Sequence, residues 1–108
     1  MAFEIEWLES ADREFDAEMS YVLKEFGFAA SRNAYLRLQK HVSHLADFPL
    51  IGTVYPGVTY HGCEIRKLPI RQVTVFYSPQ ADKVTILAVW NNYNNPSSID
   101  YRLLDEDI

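Results

Sequence analysis

The chain has 108 residues, nearly half of them apolar, and its 10 Lys and Arg stand against 15 Asp and Glu for a net charge of −5. That length suits one domain able to bury its own core, and the aromatic and apolar content excludes a disordered chain. No apolar run approaches the roughly 20 residues of a membrane span, MAFEIEWLES lacks the basic flank and apolar core of a signal peptide, and the lone Cys63 excludes an internal disulfide. A cytoplasmic location is therefore expected.

The acidic balance argues against a general nucleic-acid binder, but the charge is unevenly spread. Residues 1–28 carry eight acids and two bases, residues 29–90 seven bases and three acids, and residues 91–108 four acids and one base. The middle of the chain can present a basic face despite the overall sign. Solvated surface charge is the plain alternative.

In chain order, FEIEW alternates apolar and charged residues and reads as a strand with Phe3, Ile5 and Trp7 on one face. Ser10 is positioned to N-cap a first helix, with Asp12 and Glu14 in its first turn. Ala11, Phe15, Met19, Val22 and Phe26 then form one apolar stripe that ends at Gly27, a suitable helix stop. A second helix over residues 30–45 turns Ala34, Leu38, Val42 and Leu45 inward and carries Arg32, Arg37 and Lys40 with no acid. So short a connection makes the two helices an antiparallel hairpin.

DFPLIGTVYPG, with two prolines and two glycines, reads as a loop. From Thr59 onward YHGCEIRKLPI, QVTVFY and KVTILAVW read as three strands, with Pro69 placing its part of the first at an edge or bulge. SPQAD is a short antiparallel turn between the last two. The expected fold is α+β in the order β-α-α-β-β-β, a helical hairpin on a small, mainly antiparallel sheet. Residues 1–96 form one domain. Residues 97–108 are either an acidic tail or a short helix capped by Ser97 or Ser98 with Ile99, Leu103 and Leu104 apolar.

Chemistry is harder to place. His41 and His44 share a helix face, and His61 and Cys63 share a strand face, but neither spacing is a zinc signature, so no metal is expected. His61 points away from Cys63 and is badly placed as its base, and there is no phosphate loop or nucleophile elbow. No cofactor is expected. RNA cleavage would need cations for phosphate and a proton donor and acceptor. Arg66, Lys67, Arg71 and Lys83 supply charge, and Tyr77, Trp90 and Tyr93 supply rings for stacking, but no acid–base pair has an owner.

Four stretches carry a family likeness: IEWLESADREF, ASRNAYLRLQKHVSHLADFPLIG with its Pro49 and Gly52, EIRKLPIRQVTVFY, and VTILAVWNNYNNP. In this succession, over about residues 3–96, the chain resembles the RelE/ParE superfamily of small bacterial toxins. The resemblance implies the toxin half of a type II toxin–antitoxin (plasmid stabilisation) pair, neutralised by a cognate antitoxin that wraps a flexible segment around it. IRKLPIRQVTVFY is more similar to the ParE pattern, matched by Arg66 and Tyr77, and for that branch the resemblance implies DNA gyrase as the target. RelE-type ribosome-dependent mRNA endonucleases carry an arginine within the third strand, where this chain has Thr74 and Val75. Many relatives follow the last-strand tryptophan with histidine and basic residues, where this chain reads Asn91, Tyr93 and Asn94.

Asparagine cannot shuttle a proton or neutralise a phosphate, although it binds partners and tolerates turns. The run Asn91–Asn95 is thus expected to be a sheet terminus and recognition edge. The expected function is a ParE-like toxin acting by binding. The alternatives are a RelE-like mRNA endonuclease, with Arg66, Tyr77 and Tyr93 as its candidate catalytic groups, and a toxin-derived binding module without toxicity. The expected contact surface for an acidic antitoxin segment comprises Arg32, Arg37, Lys40, Arg66, Lys67, Arg71, Trp90, Asn91, Tyr93 and Asn94. A homodimer stays open.

Overall fold

The computed structural model describes residues 2–94 and 98–106, the last two through their backbone alone. Its elements run β1 (Glu4–Trp7), α1 (Glu9–Phe26), α2 (Phe28–His44), β2 (Thr53–Tyr60), β3 (Cys63–Ile70), β4 (Val73–Pro79), β5 (Lys83–Asn91) and α3 (Ser98–Glu106). The strands form one sheet in the order β1-β5-β4-β3-β2. Every neighbouring pair is antiparallel except β1–β5, so the expected α+β class and helical hairpin are present.

One strand was not expected. Residues 53–60 form β2, although Pro56 and Gly57 break their alternation. An irregularity between Val54 and Thr59 absorbs both residues, and the strand lies at the sheet edge, where a missing N–H is tolerated. A two-residue turn, His61–Gly62, with φ of 48° and 80°, then closes a β2–β3 hairpin of the primed kind that suits strand twist. Pro69 lies past the last β3 residue that β2 pairs with, Lys67, so β3 is locally edge-like there.

The first helix starts at Glu9, earlier than expected, with Leu8 at its N-cap and no side-chain cap. Ser10 is therefore inside the helix, and its hydroxyl accepts a hydrogen bond from Arg102 instead. Gly27 alone joins the two helices, with φ of 90° and its N–H on the Leu23 carbonyl. Ala11, Phe15 and Val22 are buried as the stripe requires, but Phe26 is exposed because the helix ends beyond the sheet it covers.

Each face of the sheet has its own core. On the hairpin face Phe15, Leu38, Val42 and Leu45 pack on Val75, Tyr77, Val84 and Ile86. Trp7, Phe15 and Tyr35 stack in series with centroids 5.5 Å apart, tying β1 to both helices. Register aligns Val54, Arg66, Tyr77, Ile86 and Trp7 in one cross-strand row on this face. On the other face Ile65, Phe76, Leu87 and Ala88 receive Ile99 and Leu103 of α3. The residues after Ser97 are thus helical through 106, with Leu104 outward. Ser97, Asn95 and Pro96 lie outside the described residues.

The two cores are reconciled by an extra residue in β5. Pairing jumps from Phe76↔Ala88 to Tyr77↔Ile86, leaving Leu87 unmatched. That bulge lets Ile86 face the hairpin while Leu87 and Ala88 both face α3.

Candidate functional site

The predicted cations do not form one surface. Arg66, opposite Tyr77 and Val54, turns inward: its guanidinium pairs with Glu64 and donates to the carbonyls of Leu50 (3.1 Å) and Gly52 (2.7 Å). Lys67, next along the strand, projects to the other face and lies 5.8 Å from the Tyr55 ring centroid. Alternation along a strand separates neighbours in this way, so the expected row Arg66, Lys67, Arg71 is split across the sheet. Arg71 stands apart at the β3–β4 turn, exposed, with φ of 57°.

Tyr77 is not a stacking ring. It is fully buried, and its hydroxyl accepts the Gly52 N–H at 2.8 Å. Burial pushes its phenol above the ordinary tyrosine range, against the opposing pull of that N–H and of Arg66. Arg66 and Tyr77 together clamp the 50–52 backbone.

Trp90 is half-buried against the α3-side core, and its Nε1 is buried with no hydrogen-bond partner among the described residues. Much of the ring thus packs on that core, and only its remaining surface is open to a partner. Tyr93, by contrast, is 83% exposed.

The asparagines terminate the sheet. Asn91 Nδ2 donates to Glu18 on α1 (3.1 Å), and its Oδ1 accepts the Tyr93 N–H (2.8 Å). Asn92 bridges to the β4 end, accepting from Thr74 Oγ1 (2.7 Å) and donating to the Arg71 carbonyl (3.0 Å). Its own N–H meets the Gln72 carbonyl, and the Asn94 N–H meets that of Asn91. Such side-chain bonds satisfy a strand end, with the Glu18 carboxylate among the acceptors.

Beside this terminus a groove of about 350 Å³ opens between α1, α2 and the β3–β4 turn. Met19, Val22, Leu38, Ile70 and Val73 give it an apolar floor. Arg37 and Arg71 stand on its rim with Glu18, Asn33 and Gln72, and Phe26 lies at its mouth. Of the cations expected on α2, Arg37 lines the groove, whereas Arg32 and Lys40 are exposed on the same helix. The groove itself has no single-sequence signal: it exists because α1 and α2 overhang the end of the sheet.

His41 and His44 lie on α2, far along the chain from the β2–β3 hairpin that carries His61 and Cys63. Among the described residues no three of His, Cys, Asp and Glu gather as a metal-binding group, and no helix is long and apolar enough to cross a membrane.

No curated protein matches the chain in sequence. Among solved structures, a chain of the chromosomal ParDE toxin–antitoxin system from P. aeruginosa superposes with a TM-score of 0.68 at 15% identity. The superposition covers 83% of this chain and 96% of that one, a likeness of fold. The family described as the ParE toxin of the type II toxin–antitoxin system, parDE, matches residues 5–95, nearly the whole chain, so this protein belongs to the ParE toxin family.

Proposed function

We propose that the chain is a toxin that works by binding a cellular target, DNA gyrase by analogy with its family, and that a cognate antitoxin neutralises it. The observation that carries a binding mode of action is the fate of two of the three catalytic candidates, Arg66 and Tyr77, which leaves the exposed Tyr93 without them. The Arg66 guanidinium is committed to Glu64 and two backbone carbonyls, and the buried Tyr77 hydroxyl to Gly52. The Tyr77 hydroxyl cannot move a proton without releasing Gly52, and the Arg66 Nε and Nη1 donors cannot turn to a phosphate without releasing Glu64 and the 50–52 loop. The groove supports the antitoxin half of the reading, since an apolar floor flanked by Arg37 and Arg71 suits a flexible segment with apolar and acidic residues.

Expression of the chain alone in a bacterium tests the proposal. Growth should slow, co-expression of the adjacent small reading frame should restore it, and the purified chain should inhibit gyrase supercoiling. Codon-positioned mRNA cleavage on ribosomes, lost in Tyr93→Phe, would replace this reading with the endonuclease. Unimpaired growth despite soluble expression would leave a binding module without toxicity.

A further inference from the structure

We propose that the free edge of β2, with the apolar segment leading into it, joins two copies of this chain about a two-fold axis. The inference is independent of the toxin reading.

β2 lies at the end of the sheet and pairs with β3 alone, so its outer backbone groups face outward along an eight-residue strand. Just before and within it, Phe48 (62%), Leu50 (62%), Ile51 (58%) and Val54 (47%) are all exposed. These side chains are displayed from a fixed backbone. Arg66 holds the Leu50 and Gly52 carbonyls, Tyr77 holds the Gly52 N–H, and the Ile51 N–H bonds to Phe48. Gly52 packs so closely that a Cβ there would lie 2.6 Å from the Lys67 carbonyl. A backbone pinned at this many points has already lost the conformational freedom that binding would otherwise remove.

Charge selects the occupant. Residues 48–60 contain no Asp, Glu, His, Lys or Arg, so against pairing this edge has only Pro56 and the irregularity beyond Val54, which leave Thr53–Tyr55 unguarded. An acidic segment finds no cation within residues 48–60 and meets only Lys67, one strand further in. Two copies of a chain with net charge −5 repel wherever their acidic or basic faces meet themselves, but residues 48–60 bring no charge of their own to the contact. Nearby, Arg66 is paired with Glu64, and on the other face Lys67 and Asp100, of opposite sign, both lie against Tyr55. A strand also pairs antiparallel with its own copy under two-fold symmetry, which makes the contact self-complementary. Pro56 has no N–H, so the hydrogen-bonded stretch is Thr53–Tyr55, next to the apolar cluster.

Sedimentation of the purified chain over a concentration series tests this, with amide exchange at Thr53–Tyr55 followed at the lowest and highest concentrations. A dimer is expected, with those of these amides that face away from β3 gaining protection as it forms. Its affinity should hold or tighten as salt rises. Ile51→Lys and Val54→Lys, both at exposed positions, should raise the dimer dissociation constant at least about tenfold, with melting temperature unchanged at concentrations where all the proteins are monomeric. Phe26→Lys, at the hairpin tip, should leave it unchanged. A chain monomeric throughout, a dimer whose β2 amides gain no protection, or dissociation by Phe26→Lys alone would overturn the proposal.

Discussion

The guanidinium of Arg102 and the carboxylate of Glu14 meet at the one stretch of β5 that no strand covers. β1 pairs β5 over Lys83–Ile86, and the edge beyond is open. Arg102 reaches there from α3 on one face, donating to both Glu14 oxygens (3.0 and 3.3 Å), to Ser10 Oγ (2.7 Å) and to the Leu87 carbonyl (2.8 Å). Glu14, from α1 on the other face, also accepts the Val89 N–H at 3.1 Å. The bulge residue Leu87 and its neighbour Val89 thus regain the partners that β1 does not supply. The pair also blunts an edge otherwise open to strand addition.

Because both side chains are mostly buried, removing one strands the other. Arg102→Met is expected to lower unfolding free energy by about 2 kcal/mol, the range for a hydrogen bond to a charged group. Glu14→Gln should cost a similar amount, and the double variant clearly less than the sum. Urea melts of the four proteins measure this. Strict additivity would show that the two side chains act separately.

The 50–52 clamp predicts an order of severity among glycines. A Cβ on Gly52 would meet the Tyr77 hydroxyl at 2.7 Å and the Lys67 carbonyl at 2.6 Å, whereas one on Gly57 meets nothing within 4 Å. Gly57 has φ of +93°, so alanine there costs backbone strain alone, about 1 kcal/mol. Gly52→Ala should cost more, about 3 kcal/mol, since backbone must move. Tyr77→Phe leaves the buried Gly52 N–H without its acceptor and should cost about 1–2 kcal/mol. Thermal melts rank the three, and an equal cost for both glycines would refute the close packing.

Hairpin and sheet were legible because their signals are local. The stripe Ala11, Phe15, Val22 records burial of one helix face, and the unbroken β-branched and aromatic run Val73–Tyr77 records a central strand covered on both faces. β2 was not, because Pro56 and Gly57 sit in a bulge, and the useful clue was His61–Gly62, a dipeptide able to hold two positive φ values. The roles of Arg66 and Trp90 were hidden for a different reason. Arg66 is turned inward by strand register and by carbonyls sixteen and fourteen residues upstream, and Trp90 faces α3 by virtue of the bulge. Nothing local distinguishes such a guanidinium or indole from an exposed one. The asparagine terminus was readable, since a strand end needs capping whatever surrounds it.

Antitoxin binding should depend on the groove cations and not on the clamp. Arg37→Glu with Arg71→Asn removes both rim charges, and asparagine tolerates the φ of 57° at residue 71. Stopped-flow binding should show an association rate lower by about tenfold or more and a flatter salt dependence. Arg66→Glu should instead lower the melting temperature, because it places a second carboxylate beside Glu64 and the Gly52 carbonyl. A folded double variant with wild-type rate and salt slope would place the partner elsewhere.

His41 gives the fold a pH dependence of definite sign. It lies half-buried on α2, with Nδ1 buried and without a hydrogen-bond partner among the described residues. Burial foremost, then the charges of His44, Lys40 and Arg37, hold its pKa below the ordinary histidine value. The native state therefore keeps His41 neutral at pH values where the unfolded chain has taken up a proton. Between the lowered native pKa and the ordinary value of about 6.5 the unfolded state binds more protons, so stability rises with pH across that window. The contribution is complete above the window and is lost as pH falls through the native pKa. His41→Gln should flatten the slope of unfolding free energy against pH below about 6.5, and His44→Gln, which removes one repelling charge, should move the His41 titration upward. Imidazole chemical shifts followed by NMR read both effects. A His41 resonance titrating at or above the ordinary value, or an unchanged slope in His41→Gln, would remove this residue from the account of acid sensitivity.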